Sequence, residues 1–424
     1  EEKISWIQSH YLNNNPEAAS IIKQYWNSDT KLQQLHDEFI ENTITNFYLP
    51  FGVAPNFLIN DRIYAIPMAI EESSVVAAAS KAAKFWKAHG GFKTQVLGTQ
   101  KMGHVHFMFH GEHRHLVDFF EKNKQKILES TDKIARNMEK RGGGLTAVEL
   151  VDKTNIIEGY YQLKCFFETA DAMGANFINS CLEALADRLE EVYSTYEAKF
   201  PDEKIEVVMS ILSNYVPDCV VRAEVSCPVE SFDDEPEKAV EFAEKFVQAI
   251  AIAKAEPYRA VTHNKGIMNG IDAVVIATGN DFRAVEAGVH AFAARNGQYT
   301  SLSDAKIENG QFSFWLEIPL ALGTVGGLTK LHPLVKIALE LLQYPDAKTL
   351  MQIVAAAGLA QNFAAVQSLT TTGIQHGHMK MHLTNILNQE QASPAERNAI
   401  TEYFKNRSIT HSAVIEQLKN MRSS

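Results

Sequence analysis

The spacing of apolar residues changes its period several times along the chain, and each change predicts a different kind of element. Residues 102–109 alternate apolar and polar side chains as a strand does, whereas residues 115–139 repeat at the helical period. Two further strands, a helix and a last strand are predicted at 145–151, 160–169, 175–199 and 205–212. This order, β-α-β-β-α-β, is the ferredoxin-like arrangement.

Before this block, a turn and a helix are predicted. Asn60-Asp61 marks a turn between two short strands, at 51–53 and 62–66. Pro67 then opens a run with helical spacing that continues to Lys87. That run would place Glu71 and Glu72 in the first turns of a helix, where acidic side chains interact favourably with the helix dipole.

The second half of the chain combines a hairpin with helices. Asn309-Gly310 fits the tight turn of a hairpin spanning 304–319. Residues 349–379 carry no Asp, Glu, Lys or Arg, but their amides, including Gln361, make them too polar for a membrane span of about 20 apolar residues. We therefore predict a buried, alanine-rich helix there. Three short charged helices after residue 373 predict a C-terminal lobe with little apolar surface of its own.

Composition narrows the class of protein. The 424 residues suffice for two or three domains, and 46% hydrophobic with 21% charged residues is ordinary for a globular chain. A net charge of −11 argues against a general nucleic-acid binder. Without a signal peptide at the start we expect a cytoplasmic protein with no membrane segment. Four cysteines without CxxC spacing indicate buried thiols of a reducing compartment: Cys165, Cys181, Cys219 and Cys227.

Charged groups surround an apolar segment at residues 259–283. Lys265 and Asp281 flank residues 271–278, which are apolar after Asp272. Burying an unpaired charge is expensive, so a lysine and an aspartate in this position suggest a pair in which the carboxylate sets the pKa of the amine. The alternative is a solvated loop, helix and loop with surface charges.

Two glycine-containing segments could hold phosphate groups. The sequence DAMGAN, at 171–176, lies between a predicted strand and a predicted helix, where free N–H groups and a glycine suit a pyrophosphate. A capped helix start is the alternative. Lys140 and Arg141 precede three glycines and form a second candidate for phosphate or ribose.

Histidines suggest two further sites. His104 and His106 would share one face of a strand, which invites a metal site, but no carboxylate or cysteine completes a ligand set. His376 and His378 lie among glycines in GIQHGHMK, and a mobile histidine near its ordinary pKa suits a proton donor. An exposed histidine at a helix start is the alternative.

Four stretches together resemble one enzyme family. NKGIMNGIDAVVIATGND resembles the signature of 3-hydroxy-3-methylglutaryl-coenzyme A (HMG-CoA) reductase of the soluble bacterial type, called class II. Three further stretches match in the family's order: IEESSVVAAAS at 70–80, DAMGAN at 171–176 and GIQHGHMK at 373–380.

The resemblance implies an α+β, multidomain fold. A large mixed α/β domain that binds HMG-CoA would comprise 1–98 and 213–372. An inserted ferredoxin-like domain, 99–212, would bind the cofactor, and a small helical flap, 373–424, would carry a catalytic histidine. The implied reaction reduces (S)-HMG-CoA to (R)-mevalonate and coenzyme A with two hydride donors, or runs in reverse. It needs no metal, and it occurs in a homodimer, or a higher oligomer, with the active site at a subunit interface.

Site residues follow from the resemblance position by position. Lys265 would stabilise the oxyanion, Asp281 would hold Lys265, Glu72 would donate a proton, and His378 would protonate the departing thiolate. The implied substrate-binding residues are Ser74, Arg259, Asn269 and Gln361. The implied cofactor-binding residues are Gly143, Gly144, Thr146, Asp171, Met173, Gly174, Ala175 and Asn176.

The same resemblance bears on the cofactor and on alternative functions. Members that use NAD place an aspartate shortly after the glycine run, but here no carboxylate precedes Glu149. NADP(H) is therefore favoured over NAD(H).

A reductase of another acyl-CoA is one alternative function, against which Arg259 argues because it calls for a carboxylate partner. A non-catalytic coenzyme A-binding paralogue is the other, and the four implied catalytic residues argue against it.

Overall fold

Three helices make up the first of two units in the structure, a computed structural model that describes residues 1–12, 15–196, 200–371, 383–384, 386–405, 407 and 409–422. In this unit, Glu1–Phe51, side chains of Asn15 and Asp29 accept backbone N–H groups at two helix starts. The Trp26 indole donates to the Ile44 carbonyl over 2.8 Å. The helices are α1 (Glu2–Tyr11), α2 (Pro16–Gln24) and α3 (Thr30–Asp37).

The second unit, Gly52–Ser424, opens with a hairpin of β1 (Phe51–Ile59) and β2 (Arg62–Ala69). Asn60 and Asp61 form its turn with φ of 45° and 67°, as predicted. The predicted helix from Pro67 is wrong, because Pro67 lies within β2 and α4 spans Val75–Ala88. A short apolar run bounded by turns has no period that distinguishes a buried strand from a helix.

The predicted β-α-β-β-α-β block forms one antiparallel sheet. Its strand order, β5-β6-β4-β7, with each neighbouring pair antiparallel, is that of a ferredoxin-like fold. The helix predicted at 115–139 is interrupted by a 3-10 turn at Glu129–Thr131. The elements are β4 (Lys101–His110), α5 (His113–Leu128), α6 (Asp132–Glu139), β5 (Gly144–Asp152), β6 (Tyr160–Glu168), α7 (Ala175–Tyr196) and β7 (Lys204–Leu212).

A second four-stranded sheet lies in the larger hydrophobic core. Its order is β3-β8-β10-β9, and the neighbouring strands are antiparallel. Asn309 and Gly310 have positive φ, so the predicted tight hairpin turn is confirmed. The strands are β3 (Lys93–Val96), β8 (Val220–Pro228), β9 (Ser303–Glu308) and β10 (Gln311–Pro319).

Two long helices pack together beside this sheet. The Glu256 carboxylate starts α9 by accepting N–H groups from Tyr258 and Arg259. A Cβ at Gly270 would lie 2.6 Å from the Ala357 carbonyl oxygen, so α9 and α13 approach this closely only with glycine there. The helices of this region are α8 (Pro236–Ala255), α9 (Pro257–Ala277), α10 (Phe282–Ala293), α11 (Leu328–Leu331), α12 (Pro333–Leu341) and α13 (Ala347–Thr370).

The predicted alanine-rich helix is α13. By length and composition it is apolar enough to cross a membrane, but 78% of its apolar window is buried inside the protein. Its buried residues belong to the same core cluster as those of β8, β10 and α9. The prediction of a buried core helix is confirmed for residues 347–370.

The C-terminal residues form a small core of their own, which the sequence analysis did not expect. Helices α14 (Pro394–Tyr403) and α15 (His411–Arg422) enclose it, and a Ser393–Glu396 capping box starts α14. The predicted lack of apolar surface is wrong, because these side chains are buried together: Leu383, Ile386, Leu387, Ala392, Ile400, Phe404, Val414 and Leu418.

Candidate active site

The loop between β2 and α4 carries an ion pair at the mouth of a cleft. The Lys265 ammonium on α9 donates to Glu72 Oε2 over 2.8 Å. The Lys265 side chain is 59% exposed and the Glu72 side chain 36% exposed. Glu72 therefore lies in a loop facing Lys265, rather than on the first turn of a helix where the sequence analysis placed it.

Ser74 ends this loop in a strained conformation. Its φ of 77° and ψ of −18° are left-handed, and its side chain makes no capping hydrogen bond at the start of α4. Non-glycine residues held in this region cost free energy and occur preferentially at functional sites. The strain is consistent with a side chain that is positioned for a ligand rather than for the helix.

The cleft has a volume of about 620 Å³ and lies between α4, α9 and α13. Its lining combines one carboxylate with three cations and several amides, which suits a ligand with both anionic and hydroxyl groups. The structure brings together at this cleft all the substrate-binding residues that the resemblance implies and two of the four catalytic ones: Glu72, Ser74, Arg259, Lys265, Asn269 and Gln361.

A buried amide next to Lys265 fixes the rotation of α9. Asn264 is fully buried, and its Nδ2 donates to the Thr300 carbonyl over 2.9 Å. Its Oδ1 accepts from the Leu302 N–H over 3.0 Å. Because Asn264 is held on both sides, its neighbour Lys265 is turned towards the cleft.

Asp281 does not meet Lys265 within the chain. Its carboxylate accepts N–H groups from Arg283 and Ala284 at the start of α10, and it pairs with the Arg283 guanidinium at 3.1 Å. Lys265 and Ala277 are twelve residues apart on α9, which is about 18 Å along the helix axis. The predicted Lys265–Asp281 pair is therefore wrong within a single chain, and Glu72 takes its place.

The DAMGAN segment forms a tight loop before α7. Gly174 has φ of +92° and packs against Thr169, so it needs the freedom of glycine. The buried Lys101 ammonium donates to the Ala172 carbonyl over 3.0 Å and to Thr169 Oγ1. Asp171 Oδ1 accepts the Ala347 N–H over 2.9 Å, so this oxygen already holds the first residue of α13.

The glycine run lies beside this loop. Gly144 pairs with Glu168 in the ladder between β5 and β6, one residue before Thr169. Thr146 occupies an irregularity in the same ladder and is exposed. Both predicted cofactor segments therefore meet at one end of β6, where the side chain of Met173 lines a small cavity with α10.

The family described as hydroxymethylglutaryl-coenzyme A reductase matches residues 1–383. The chain belongs to this family. The family and the enzyme class, an oxidoreductase, that were predicted from the sequence are confirmed.

Individual family members agree with this assignment. A 3-hydroxy-3-methylglutaryl-coenzyme A reductase of Archaeoglobus fulgidus is 38% identical over 367 residues, covering 86% of this chain and 80% of the relative. The reductase of Streptococcus pneumoniae has a TM-score of 0.74 at 35% identity, covering 99% of this chain and 97% of that one. A class II reductase structure from the same organism, described as bound to NADPH in open conformations, has a TM-score of 0.72 at 36% identity, covering 87% and 97%. The α+β, multidomain fold class is confirmed.

His378, together with His376, lies outside the residues that the structure describes. Lys81 lines the cleft two helical turns after Ser74 and was not predicted, although the helical period of α4 would have indicated it. Lys101 and His263 were also missed, because nothing in the sequence marks a buried polar residue as such.

The two histidines on β4 contact each other and a neighbouring tyrosine. His104 and His106 have ring centroids 5.4 Å apart, and His106 Nδ1 lies 2.6 Å from the Tyr160 hydroxyl. Burial lowers the pKa of His104 to about 4, so its ring is neutral near pH 7. Within the described part of the chain, no three His, Cys, Asp or Glu side chains are grouped as metal ligands.

Proposed function

We propose that the protein, as a class II member of its family, reduces (S)-HMG-CoA to (R)-mevalonate and coenzyme A. The observation that carries this proposal is the Lys265–Glu72 ion pair, 2.8 Å long, in a cleft that also contains Arg259. An ammonium can stabilise an oxyanion at this point, and the neighbouring carboxyl group, when protonated, can supply its proton.

The chemistry assigns a separate task to each member of the pair. Lys265 stabilises the negative charge that develops on the thioester oxygen, because a fixed cation at that oxygen lowers the barrier most where charge develops. Glu72, in its protonated form, donates a proton to the same oxygen as the alcohol forms. Their contact keeps both groups within reach of one substrate atom.

The rest of the cleft recognises the acid end of the substrate. Arg259 is half-buried and, among the described residues, makes no ion pair through its guanidinium, which suits a ligand carboxylate. Ser74 and Asn269 present a hydroxyl and an amide for the substrate hydroxyl, and Gln361 lies on the opposite wall.

The cofactor segments fit a dinucleotide phosphate. The free N–H groups at the start of α7, the left-handed Gly174 and the glycines at 142–144 leave room for a pyrophosphate beside the backbone. Thr146 is exposed and no carboxylate lies between Gly144 and Glu149, so the first residues of β5 carry no negative charge that would repel a ribose 2′-phosphate. NADPH would supply the hydride for each of the two reductions.

A homodimer would complete the active site. Lys265 lies near the middle of α9 and Asp281 lies beyond its C-terminal end, so one chain would offer Lys265 and Glu72 where its twofold mate would offer Asp281. We place His378 in the same site as the acid that protonates the leaving thiolate. The free, buried cysteines and the buried α13 support a cytoplasmic location.

One assay tests the proposed function. Purified protein is incubated with HMG-CoA and either NADPH or NADH, and nicotinamide oxidation is followed by absorbance. We expect two equivalents of NADPH to be oxidised per HMG-CoA, with mevalonate and free coenzyme A as products. Oxidation of NADPH with an acyl-CoA that lacks the free carboxylate, but not with HMG-CoA, would contradict the proposal.

A further inference from the structure

One ring nitrogen of a buried histidine beside the cleft can accept a hydrogen bond, but no described residue donates one to it. His263 on α9 is 2% exposed, and its Nε2 lies 2.7 Å from Ser303 Oγ. Ser303 donates its only hydroxyl proton to Asn362 Oδ1 over 2.8 Å, so His263 Nε2 must carry the proton in the other contact. The opposite nitrogen, Nδ1, is then a bare lone pair; it is buried, and among the residues that the structure describes it has no hydrogen-bond partner.

This histidine works only as a neutral ring. Burial, with a smaller effect from the positive charge of Arg259, lowers the pKa of His263 to about 3. The imidazole is therefore uncharged near neutral pH and cannot act as a general acid there. Its one free function is to accept a hydrogen bond at Nδ1.

Arg259 is a strong hydrogen-bond donor whose positive charge acts on His263. Arg259 precedes His263 by four residues, so the two side chains lie on one face of α9. The Arg259 guanidinium is half-buried, and among the described residues it has no ion-pair partner. Both residues line the same cleft.

We propose that His263 is a positioning residue for Arg259, whose guanidinium donates one N–H to His263 Nδ1 when substrate binds. A guanidinium is planar, so fixing one N–H fixes the plane of the remaining donors. Two of those donors then face the substrate carboxylate as a parallel pair. The Ser303–Asn362 contacts matter because they hold the imidazole in the tautomer that leaves Nδ1 free to accept.

This inference rests on the proposed function and extends it, because it assumes that Arg259 binds the carboxylate of HMG-CoA. The test uses two fragments of the substrate: 3-hydroxy-3-methylglutarate, which carries the carboxylate, and free coenzyme A, which does not. Dissociation constants for both are measured by calorimetry on the full-length protein. Wild-type protein that binds neither fragment and does not oxidise NADPH with HMG-CoA would overturn the proposed function and this inference together.

Two substitutions at one position separate positioning from packing. His263→Gln keeps an N–H near the Nε2 position for Ser303 but has no acceptor at the Nδ1 position. His263→Asn has an oxygen near the Nδ1 position but does not reach Ser303. We expect His263→Gln to weaken the binding of 3-hydroxy-3-methylglutarate about tenfold, as for the loss of one hydrogen bond to a charged group, and to leave the affinity for coenzyme A unchanged. His263→Asn should recover most of the lost affinity.

A purely structural role predicts the reverse order, with His263→Asn the weaker binder and both fragments affected. A third variant tests whether His263 acts through Arg259. In an Arg259→Gln background, His263→Gln should cause no further loss of 3-hydroxy-3-methylglutarate affinity. Additive losses, or a His263→Gln protein that binds this fragment as tightly as wild type, would overturn the inference.

Discussion

At the scale of single residues, the Lys265–Glu72 pair adds little to the stability of the fold. Both side chains are at least one-third exposed, and ion pairs of this kind stabilise a fold by only about 0–1 kcal/mol. Each charge remains partly solvated, so neither needs the other to offset the cost of burial. Their contact is therefore better explained by what it presents to the cleft than by what it adds to stability.

Lys265→Ala should abolish HMG-CoA reduction while leaving the fold intact. Losing one oxyanion donor typically lowers kcat by roughly 10²–10³, and loss of a charged donor should lower it at least as much. Lys245→Ala, which removes an exposed i,i+4 ion pair on α8, is the matched control and should keep wild-type activity. A Lys265→Ala protein with a tenth of the wild-type kcat and an unchanged melting temperature would refute the role.

Ser74 allows strain and ligand binding to be separated. A Cβ in the left-handed region costs about 1–2 kcal/mol, and the greater freedom of an unfolded glycine offsets about 0.4–1 kcal/mol of that. The free energy of unfolding of Ser74→Gly should therefore exceed that of Ser74→Ala by about 1 kcal/mol, so Ser74→Gly should unfold at a higher urea concentration. Both variants lose the hydroxyl, so both should raise KM for HMG-CoA. Equal stability of the two would mean that the backbone at Ser74 is unstrained.

At the scale of elements, the close contact of α9 with α13 forms the floor of the cleft. Gly270→Ala should destabilise the protein by about 1–3 kcal/mol, because its Cβ would meet the Ala357 carbonyl at 2.6 Å and the Gln361 side chain at 2.8 Å. Gly266→Ala is the matched control, with its nearest neighbour 3.9 Å away, and should stabilise α9 by up to about 1 kcal/mol. Denaturant unfolding measures both changes in the free energy of unfolding, which should have opposite signs.

The strand β5 is predicted to determine the choice of cofactor. NADPH should have the higher kcat/KM in wild type, because no carboxylate lies between Gly144 and Glu149. Ala147→Asp, next to the exposed Thr146, should shift the preference towards NADH, since a carboxylate accepts a ribose 2′-hydroxyl and repels a 2′-phosphate. Initial rates with both cofactors give the ratio. A wild-type preference for NADH would contradict the cofactor prediction without affecting the family.

Elements with a strong local signal were predictable from the sequence. The Asn309-Gly310 turn needs two left-handed residues, and those two residue types supply them. The run from Pro67 was misassigned because its burial on β2 depends on the surrounding core, which no local pattern encodes. The C-terminal core was missed for a similar reason, since its residues are spread between Leu383 and Leu418 and meet only after folding.

The site was predictable where the family motif names residues, and less so where geometry decides. Glu72, Arg259 and Lys265 meet in one cleft as the resemblance implies. The predicted pairing of Lys265 with Asp281 was wrong within the chain, because the rise of α9 separates the two side chains. Sequence distance alone does not reveal which end of α9 faces the cleft. His263 carries no motif at all, and only its buried Nδ1 draws attention to it.

At the scale of the whole molecule, the proposed homodimer predicts that Lys265 of one chain and Asp281 of its mate complete one active site. Lys265→Ala and Asp281→Ala proteins should each be inactive alone. Mixed and allowed to exchange subunits, they should recover about a quarter of wild-type activity, because half of the dimers are mixed and each mixed dimer has one intact site. No recovery, with exchange verified by native mass spectrometry, would show that both residues act within one subunit.

The buried cysteines have a consequence for an enzyme whose proposed product is itself a thiol. Burial raises the pKa of Cys181 and Cys227 to about 12 and that of Cys219 to about 11, and it raises the pKa of Cys165 further. Mixed disulfides form through thiolates, and these sulfurs are both protonated and enclosed. Coenzyme A disulfide that accumulates under oxidative conditions therefore meets no reactive sulfur on this protein, and turnover proceeds without the enzyme being capped by its own product.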